Sequence, residues 1–373
     1  MAVKKSRRIV HLTSVHRQDD VRIYRKECIS TARGGYQVTL ISPGSGTGCS
    51  NGVNLVSVPM PAHRFDRMFK TIRFVYRAAV SLGADLYHFH DPELMIVGLL
   101  LKMKGKRVVY DVHEELGEDI KDKEWLPKSL RPAMALLVGL FESFCSKFYD
   151  GIVVSRSALL ERFEPKKTVL VSNYPIIGEL STEAPIPFSA RPGIGAYVGG
   201  VTPERGIRQL AAGLSMLPKD CDFHLHIAGT LPPALLEEVS RMPGGHRLKF
   251  LGWQTREQVA ELLNRARFGV VLFLPIANHL RSEPTKIYEY MSCGLPVIAT
   301  DMPYWRRIVD AGGLGIVVDP YNPKAIADAV EYLLSHPEEA GAMGERGKTA
   351  IMGEYNWGKE AEKLLLLYAN ILG

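Results

Sequence analysis

Residues 283–301 read EPTKIYEYMSCGLPVIATD, and this stretch decides the fold. It reads as loop, helix, tight turn and buried strand. Pro284 suits the first turn of a helix, where its missing N–H costs nothing. The N–H groups of Thr285, Lys286 and Ile287 then point out of the helix start, which carries about half a positive charge and suits a phosphate. Ile287, Tyr290 and Met291 share one face at helical spacing, and Lys286 and Glu289 share another. Gly294 ends the helix and Pro296 stops it. Val297, Ile298 and Ala299 form a short apolar run of the kind a buried parallel strand needs. One helix therefore offers a cation and backbone donors to a pyrophosphate, and a carboxylate to the hydroxyls of a ribose. The bland alternative is a core helix with Glu289 merely exposed.

The same alternation runs outward to both ends. Strands are expected over residues 8–15, 36–41, 86–89, 107–110, 151–155 and 168–172, with helices between them. Residues 173–192 are proline-rich with little periodicity and read as a linker. Further strands are expected over 195–200, 225–229, 268–274, 297–299 and 314–318. Strand–helix alternation in both halves argues an α/β chain of two doubly wound parallel sheets. The expected domains are 1–175 and 176–354, with a closing helix at 355–373.

At 373 residues with 46% apolar content, the chain can fill two cores. No run approaches the length of a transmembrane helix. The start, MAVKKSRRIVHLTSV, is basic, but its apolar run is interrupted by His11, so it reads as a strand and not a signal peptide. Cys28, Cys49, Cys145, Cys221 and Cys293 are scattered, which fits a reducing cytoplasm better than a disulfide or zinc framework. Residues 1–190 hold 27 Lys+Arg against 20 Asp+Glu, and residues 191–373 hold 19 against 20. A basic first half suggests an anionic partner. No recognition helix or aromatic strand motif favours nucleic acid, so a membrane surface or lipid phosphate is the better expectation. Residues 65–80 (FDRMFKTIRFVYRAAV) form an amphipathic basic helix, read as a membrane-surface helix or an ordinary packed one. The expected location is cytoplasmic, peripheral at the inner face of the membrane.

Three loops after strands carry ionisable groups. The first, HRQDDVRIY (16–24), holds His16 and Arg22, with Asp19 or Asp20 as a helix cap. The second, HDPE (90–93), places His90 and Asp91 at a strand's carboxyl end, where a histidine can exchange a proton. The third, DVHEE (111–115), adds Asp111, His113 and Glu114. A metal is conceivable there, but no second ligand cluster supports it. Asp220-Cys221-Asp222 reads as a surface loop. Neither half carries GxGxxG after its first strand, which argues against a nicotinamide dehydrogenase.

The segment YEYMSCGLPVI (288–298) resembles the donor-binding segment of family 4 glycosyltransferases, retaining enzymes of the two-domain GT-B fold. The resemblance implies two Rossmann-like domains facing a cleft and a C-terminal helix crossing back. Family members carry two glutamates eight apart; Glu289 matches the second, on the ribose, and the first falls at Arg281, with Glu283 close by. The Pro-Thr-Lys run resembles a subgroup linked to bacterial surface polysaccharides. GGVTPERG (199–206) resembles the family's first donor loop, so Gly199, Gly200 and Arg205 are expected at the pyrophosphate with Thr285, Lys286 and Ile287. Trp253 follows a Phe-Leu-Gly turn and either stacks a base or covers the core. His90 matches the second histidine of a His-x-His-acid run, implying a place at the reaction centre, with Asp91 orienting it or capping the helix. Catalytic roles thus fall to His90 and Glu283. Acceptor contacts fall to His16, Arg22, Asp91, Asp111, His113 and Glu114. The resemblance implies transfer from a nucleotide-sugar to a carbohydrate or lipid-linked acceptor, with no metal or other cofactor and no nucleic acid. The alternatives are a sugar-nucleotide epimerase of the same fold and a non-catalytic nucleotide-sugar binder.

Overall fold

The computed structural model describes residues 6–63, 66–121, 126–182 and 184–373. The chain divides into two compact units: one runs to Asn173 and resumes over Trp357–Gly373, and the other is Tyr174–Asn356.

The first unit is built on β1 (Arg8–Leu12), β2 (Gln37–Pro43), β3 (Gly48–Ser50), β4 (Val53–Val58), β5 (Leu86–Phe89), β6 (Arg107–Val112), β7 (Gly151–Val154) and β8 (Thr168–Leu170). They pair in the order β3-β4-β2-β1-β5-β6-β7-β8, parallel except for the antiparallel β3–β4 pair. Central strands such as β5 and β7 are buried along their whole length, which is why they read as unbroken apolar runs. A wide-turned helix, Val21–Cys28, continues as α1 (Ile29–Arg33). Asp20 caps it, accepting from the Ile23 amide at 2.8 Å. The turn Arg67–Thr71 leads into α2 (Ile72–Leu82), so the basic helix forms; Phe65 lies outside the described residues. α3 (Met95–Met103), α4 (Leu116–Lys121) and α5 (Arg131–Ser146) follow. Val75 of α2, Val97 of α3 and Cys145 of α5 share one core with Val10, Ile41, Phe89 and Tyr110. Ile23 and Cys28 pack with Val38 and Leu40 in another. Leu40 and Ile41 are adjacent on one strand, so these cores lie on opposite faces of the sheet.

The second unit contains β9 (Ile194–Val198), α6 (Ile207–Leu214), β10 (His224–Ala228), α7 (Pro233–Arg241), β11 (Leu248–Gly252), α8 (Arg256–Arg265) and β12 (Phe268–Val271). It continues through α9 (Ala277–Leu280), α10 (Thr285–Ser292), β13 (Val297–Thr300), α11 (Pro303–Val309), β14 (Gly315–Val318), α12 (Pro323–Ser335) and α13 (Pro337–Gly353). Its sheet is parallel, in the order β11-β10-β9-β12-β13-β14. The deciding stretch folds as loop, α10, turn and β13. Pro284 sits one residue ahead of the helix, and Gly294 closes it with φ 68°. The last helix, α14 (Trp357–Leu372), belongs to the first unit. There Trp357 Nε1 donates to Ser30 Oγ at 2.8 Å, and Glu360 accepts from the Ser172 amide at 2.8 Å.

Tyr290 on α10 is fully buried and its hydroxyl accepts from the Val198 amide at 2.9 Å, tying α10 to β9. The ring lies over Gly269, where a Cβ would come within 2.2 Å of it. Gly269→Ala is therefore expected to destabilise the second unit by about 1–3 kcal/mol, as overpacking does. Urea unfolding checks this; an unchanged midpoint would show that the ring yields freely.

Candidate functional site

Each sheet reverses its winding at one place. In the first unit β1 pairs with β2 on one side and β5 on the other. In the second, β9 pairs with β10 and β12 in the same way. Open α/β sheets take ligands at the carboxyl ends of strands where the winding reverses. The residues singled out from the sequence gather at these two places.

In the second unit β9 runs out at Gly199 and Gly200. Gly199 has φ 109°, and a Cβ on it would meet Lys286 Cε at 2.8 Å. Arg205 donates to the Gly200 carbonyl at 2.7 Å and lies over the Phe273 ring at 5.2 Å. Lys286 also sits over Phe273, at 5.2 Å, and over Tyr197 at 4.5 Å. Its Nζ is buried and has no hydrogen-bond partner among the described residues. Burial, reinforced by the Arg205 charge, brings its pKa down to about 7. Two cations thus share one aromatic floor with no ion-pair partner among the described residues, the Glu289 charge acting only at longer range, an arrangement that an anion relieves. The Ile287 amide is already bonded to the Pro284 carbonyl at 3.2 Å. This corrects the expectation of three open amides: Thr285 and Lys286 supply the open donors, and the Ile287 side chain is core.

Glu289 is held in a way the sequence does not show. Arg256 Nη1 donates to its Oε1 at 2.9 Å, and Arg256 Nη2 lies 3.0 Å from Glu179. Arg256 was missed because it lies 33 residues from Glu289. Its position in the first turn of α8, facing a glutamate-bearing helix, is the only signal available. Glu283 lies beside the Tyr304 hydroxyl, which is bonded to Tyr288 at 2.8 Å; burial, then that carboxylate and its neighbours, push the Tyr304 phenol up. Trp253 is 72% exposed, so it does not cover the core, and stacking is what remains of that expectation.

In the first unit the loops after β1, β5 and β6 surround a cavity of about 380 Å³ lined by His16, His90, Asp91, His113 and Glu114, among others. Beneath it lies a buried charge network. Arg22 is buried and donates to both Asp111 oxygens at 3.0 and 3.2 Å and to the Val171 carbonyl. Asp111 in turn lies 3.0 Å from His90 Nδ1 and 2.9 Å from His113 Nε2. Burial alone would raise the Asp111 pKa, but Arg22 and His113 outweigh it and hold it well below the carboxylate range. Arg22 is taken up by Asp111 and the Val171 carbonyl and does not line the cavity, whereas Asp111 lines it while also fixing both histidines. Asp91 also differs: its Oδ2 accepts from Thr13 Oγ1 at 2.7 Å and the Ser14 amide at 2.6 Å, so it shapes the first loop and neither caps the helix nor orients His90. His90 has both ring nitrogens engaged, by Asp111 and by His11 Nδ1 at 3.0 Å, and burial lowers its pKa. It is the floor of the cavity.

His16 is the accessible histidine here. It lies 3.3 Å from Asp20, 3.4 Å from Asp91, and stacks on His113. The Asp20 bond raises its pKa against the opposing effect of burial. Asp20, pushed up by burial but bonded by His16 and the Ile23 amide, is held at about 2. Glu114 is exposed at the rim.

Among the described residues two groups place metal-ligating atoms within 4.8 Å of one another: His11, Glu27, His88 and His90, and His90, Asp111 and His113. Several of these atoms already have protein partners. Glu27 lies 3.2 Å from Arg22, and His88 Nδ1 is 2.6 Å from the Tyr368 hydroxyl of α14.

Two doubly wound units, each with polar residues at its reversal point, define the GT-B class of α/β protein. Residues 28–173 match the family model "Glycosyl transferase 4-like domain" and residues 182–350 match "Glycosyl transferases group 1". Together the two matches make the chain a family-4-like glycosyltransferase, with the group 1 match in its second unit. Over 178 residues it is 26% identical to alpha-D-kanosaminyltransferase of Streptomyces kanamyceticus, a stretch covering 47% of this chain and 45% of that one. The matched stretch spans less than half the length of that relative and of the D-inositol 3-phosphate glycosyltransferase of Corynebacterium urealyticum, which is 30% identical over 39% of this chain and 33% of its own. Sucrose-phosphate synthase from Thermosynechococcus elongatus shares the fold with a TM-score of 0.76 at 20% identity, covering 98% of this chain and 99% of its own. HepE of Anabaena, in complex with UDP-glucose, shares it with a TM-score of 0.73 at 13% identity, covering 98% and 100%.

Lys286 has a thermodynamic signature. Its folded pKa of about 7 lies below the ordinary lysine value of 10.5. Between these values the unfolded chain binds more protons, so stability rises with pH there, and the penalty of the buried ammonium is full below pH 7. Lys286→Met is expected to melt higher than the parent at pH 6, with the gap closing towards pH 10. Melting curves across that range check it; a gap independent of pH would mean that the ammonium is not desolvated.

Proposed function

We propose that the protein is a retaining glycosyltransferase that moves a sugar from a nucleoside diphosphate donor to an acceptor hydroxyl. The observation that carries this reading is the pair of cations at the end of β9 and the start of α10: Arg205, and Lys286 with its buried, unpartnered ammonium. A diphosphate supplies the missing counter-charge, and the Thr285 and Lys286 amides add donors at the helix start. Gly199 keeps the approach open, since any side chain there would meet Lys286. Glu289, steadied by Arg256, accepts from the ribose hydroxyls. Glu283, or the backbone beside it, contacts the sugar. Trp253 offers an exposed face to the base.

In the proposed reaction the bond between the anomeric carbon and the β-phosphate oxygen breaks. The acceptor oxygen bonds to that carbon from the same side, and its proton passes to the departing phosphate. Charge develops on the diphosphate, so Lys286 and Arg205 act more strongly in the transition state than in the ground state. Protein cations supply that neutralisation. On the acceptor side, His16, His113 and Glu114 line the cavity and offer groups for sugar hydroxyls. His90 sits at its floor with its ring fixed by Asp111. The acceptor class is a carbohydrate or a lipid-linked sugar.

A thermal-shift panel of UDP-, GDP- and ADP-sugars tests the donor half. A ligand at about 100 times its dissociation constant stabilises by roughly 2.7 kcal/mol. One base is expected to give the shift, and Gly199→Leu and Glu289→Ala are expected to remove it. No shift with any donor would overturn the reading. Release of an inverted sugar nucleotide without acceptor would replace it with an epimerase.

Donor binding should also take up protons. A diphosphate restores Lys286 towards its ordinary pKa, so above pH 7 binding must protonate it. Calorimetry at pH 8 in buffers of different ionisation enthalpy is expected to show net proton uptake, absent in Lys286→Met.

A further inference from the structure

The helices on one face of the first unit have outer sides that their packing does not explain. α2, α3 and α5 share a single core against the sheet through Val75, Val97 and Cys145. The solvent side of such helices is ordinarily charged and polar. On α5, Leu136, Leu137 and Leu140 are 64%, 60% and 59% exposed, and Phe141 and Phe144 are exposed beside them. On α3, Met103 is 83% exposed, and Phe69, just before α2, is 70% exposed. Scattered apolar side chains need no explanation, but exposed apolar rows on three neighbouring helices mark an interaction surface.

The charges on the same face decide its partner. Arg67–Leu82 and Met95–Met103 contain no carboxylate at all. α5 contains one, Glu142, and it is buried against the Tyr110 hydroxyl at 3.0 Å and Arg162 at 2.8 Å. Lys70, Arg73 and Arg77 are exposed around α2, and Lys104 and Lys147 are exposed at the ends of α3 and α5. Among the described residues the three helices themselves present an apolar strip with cations and no exposed acid; the acids that border it, Asp66 and Glu118, are ion-paired with Lys70 at 2.7 Å and with Lys121 at 2.5 Å, which leaves Arg73, Arg77, Lys104 and Lys147 as its cations. A two-fold copy of the chain would set cations against cations, because such an interface must complement itself. An anionic bilayer matches both features: acyl chains take the leucines and phenylalanines, and headgroup phosphates take the lysines and arginines.

We propose that the face formed by α2, α3 and α5 seats the first unit on an anionic membrane surface. The sequence placed such contact on the basic first half, with residues 65–80 as the candidate helix. The structure turns Val75 and Ala79 of that helix into the core and gives the apolar contact chiefly to α5. The inference stands apart from the sugar-transfer reading, since it uses none of the donor or acceptor residues.

Flotation of the full chain with phosphatidylcholine vesicles, with and without phosphatidylglycerol, tests it. Binding is expected with the anionic vesicles alone and should weaken as salt rises. Arg73→Ala with Arg77→Ala is expected to weaken partitioning about thirty-fold, at about five-fold per cation. Leu137→Ser with Leu140→Ser should weaken it at least about ten-fold. All four sites are exposed, and circular dichroism together with the nucleotide-sugar thermal shift checks that the fold and donor site are intact. Failure to float with either vesicle, or equal flotation of parent and variants, overturns the proposal. Concentration-dependent dimerisation abolished by the leucine changes, without vesicle binding, would also overturn it and assign the face to a second copy of the chain.

Discussion

The structure depends on a rule of chain winding. Parallel strands joined by right-handed crossovers must place their connecting helices on opposite faces wherever the winding changes direction. The carboxyl ends of the two strands flanking that change are left without a helix over them. Here the change falls between β1 and β5 in one unit and between β9 and β12 in the other. Apolar packing builds the two sheets, and their topology determines where polar side chains can collect without burying themselves in a core.

The two collections are finished in opposite ways. In the first unit the buried charges find their opposites inside the protein. Arg22 neutralises Asp111, Asp111 fixes His90 and His113, and Asp91 ties down the loop through Thr13 and Ser14. Breaking one partner of such a network leaves a buried group unsatisfied, so the network holds a fixed shape. In the second unit Lys286 and Arg205 converge with no ion-pair partner among the described residues. That is an electrostatic cost carried by the empty protein and relieved on binding. One site is organised to present a surface and the other to wait for a charge.

The sequence carried the fold well because its strands are buried on both faces. GIVV at 151–154 and VIAT at 297–300 have no other reading once Gly and Pro mark their ends. It carried α10 and its cation for the same local reason. What it missed is long-range. Arg22 and Asp111 are 89 residues apart, and nothing local separates a guanidinium that meets an acceptor from one locked against a carboxylate. Arg256 and Glu289 share that difficulty. The wide-turned start of the helix at Val21–Cys28, and the shift of Pro284 to a position just outside α10, are settled by capping geometry. Exposure is equally non-local: the periodicity of α5 gives a long apolar helix, and only its neighbours decide that Leu136 and Leu140 face outward.

The path of the chain through the two units also orders their assembly. The second unit is one unbroken segment, whereas the first is closed by α14, whose Trp357, Glu360 and Tyr368 bond to Ser30, Ser172 and His88. A chain leaving the ribosome amino-terminus first has every residue of the second unit before it has the helix that covers one face of the first sheet. The earlier half of the sequence must therefore wait, with the face destined for α14 uncovered, while the later half completes itself. The part of the protein made first is the part finished last, and chaperone protection during synthesis is needed most for the side of that sheet lined by Gly34 and Gly151, where Leu365 and Ile371 finally dock.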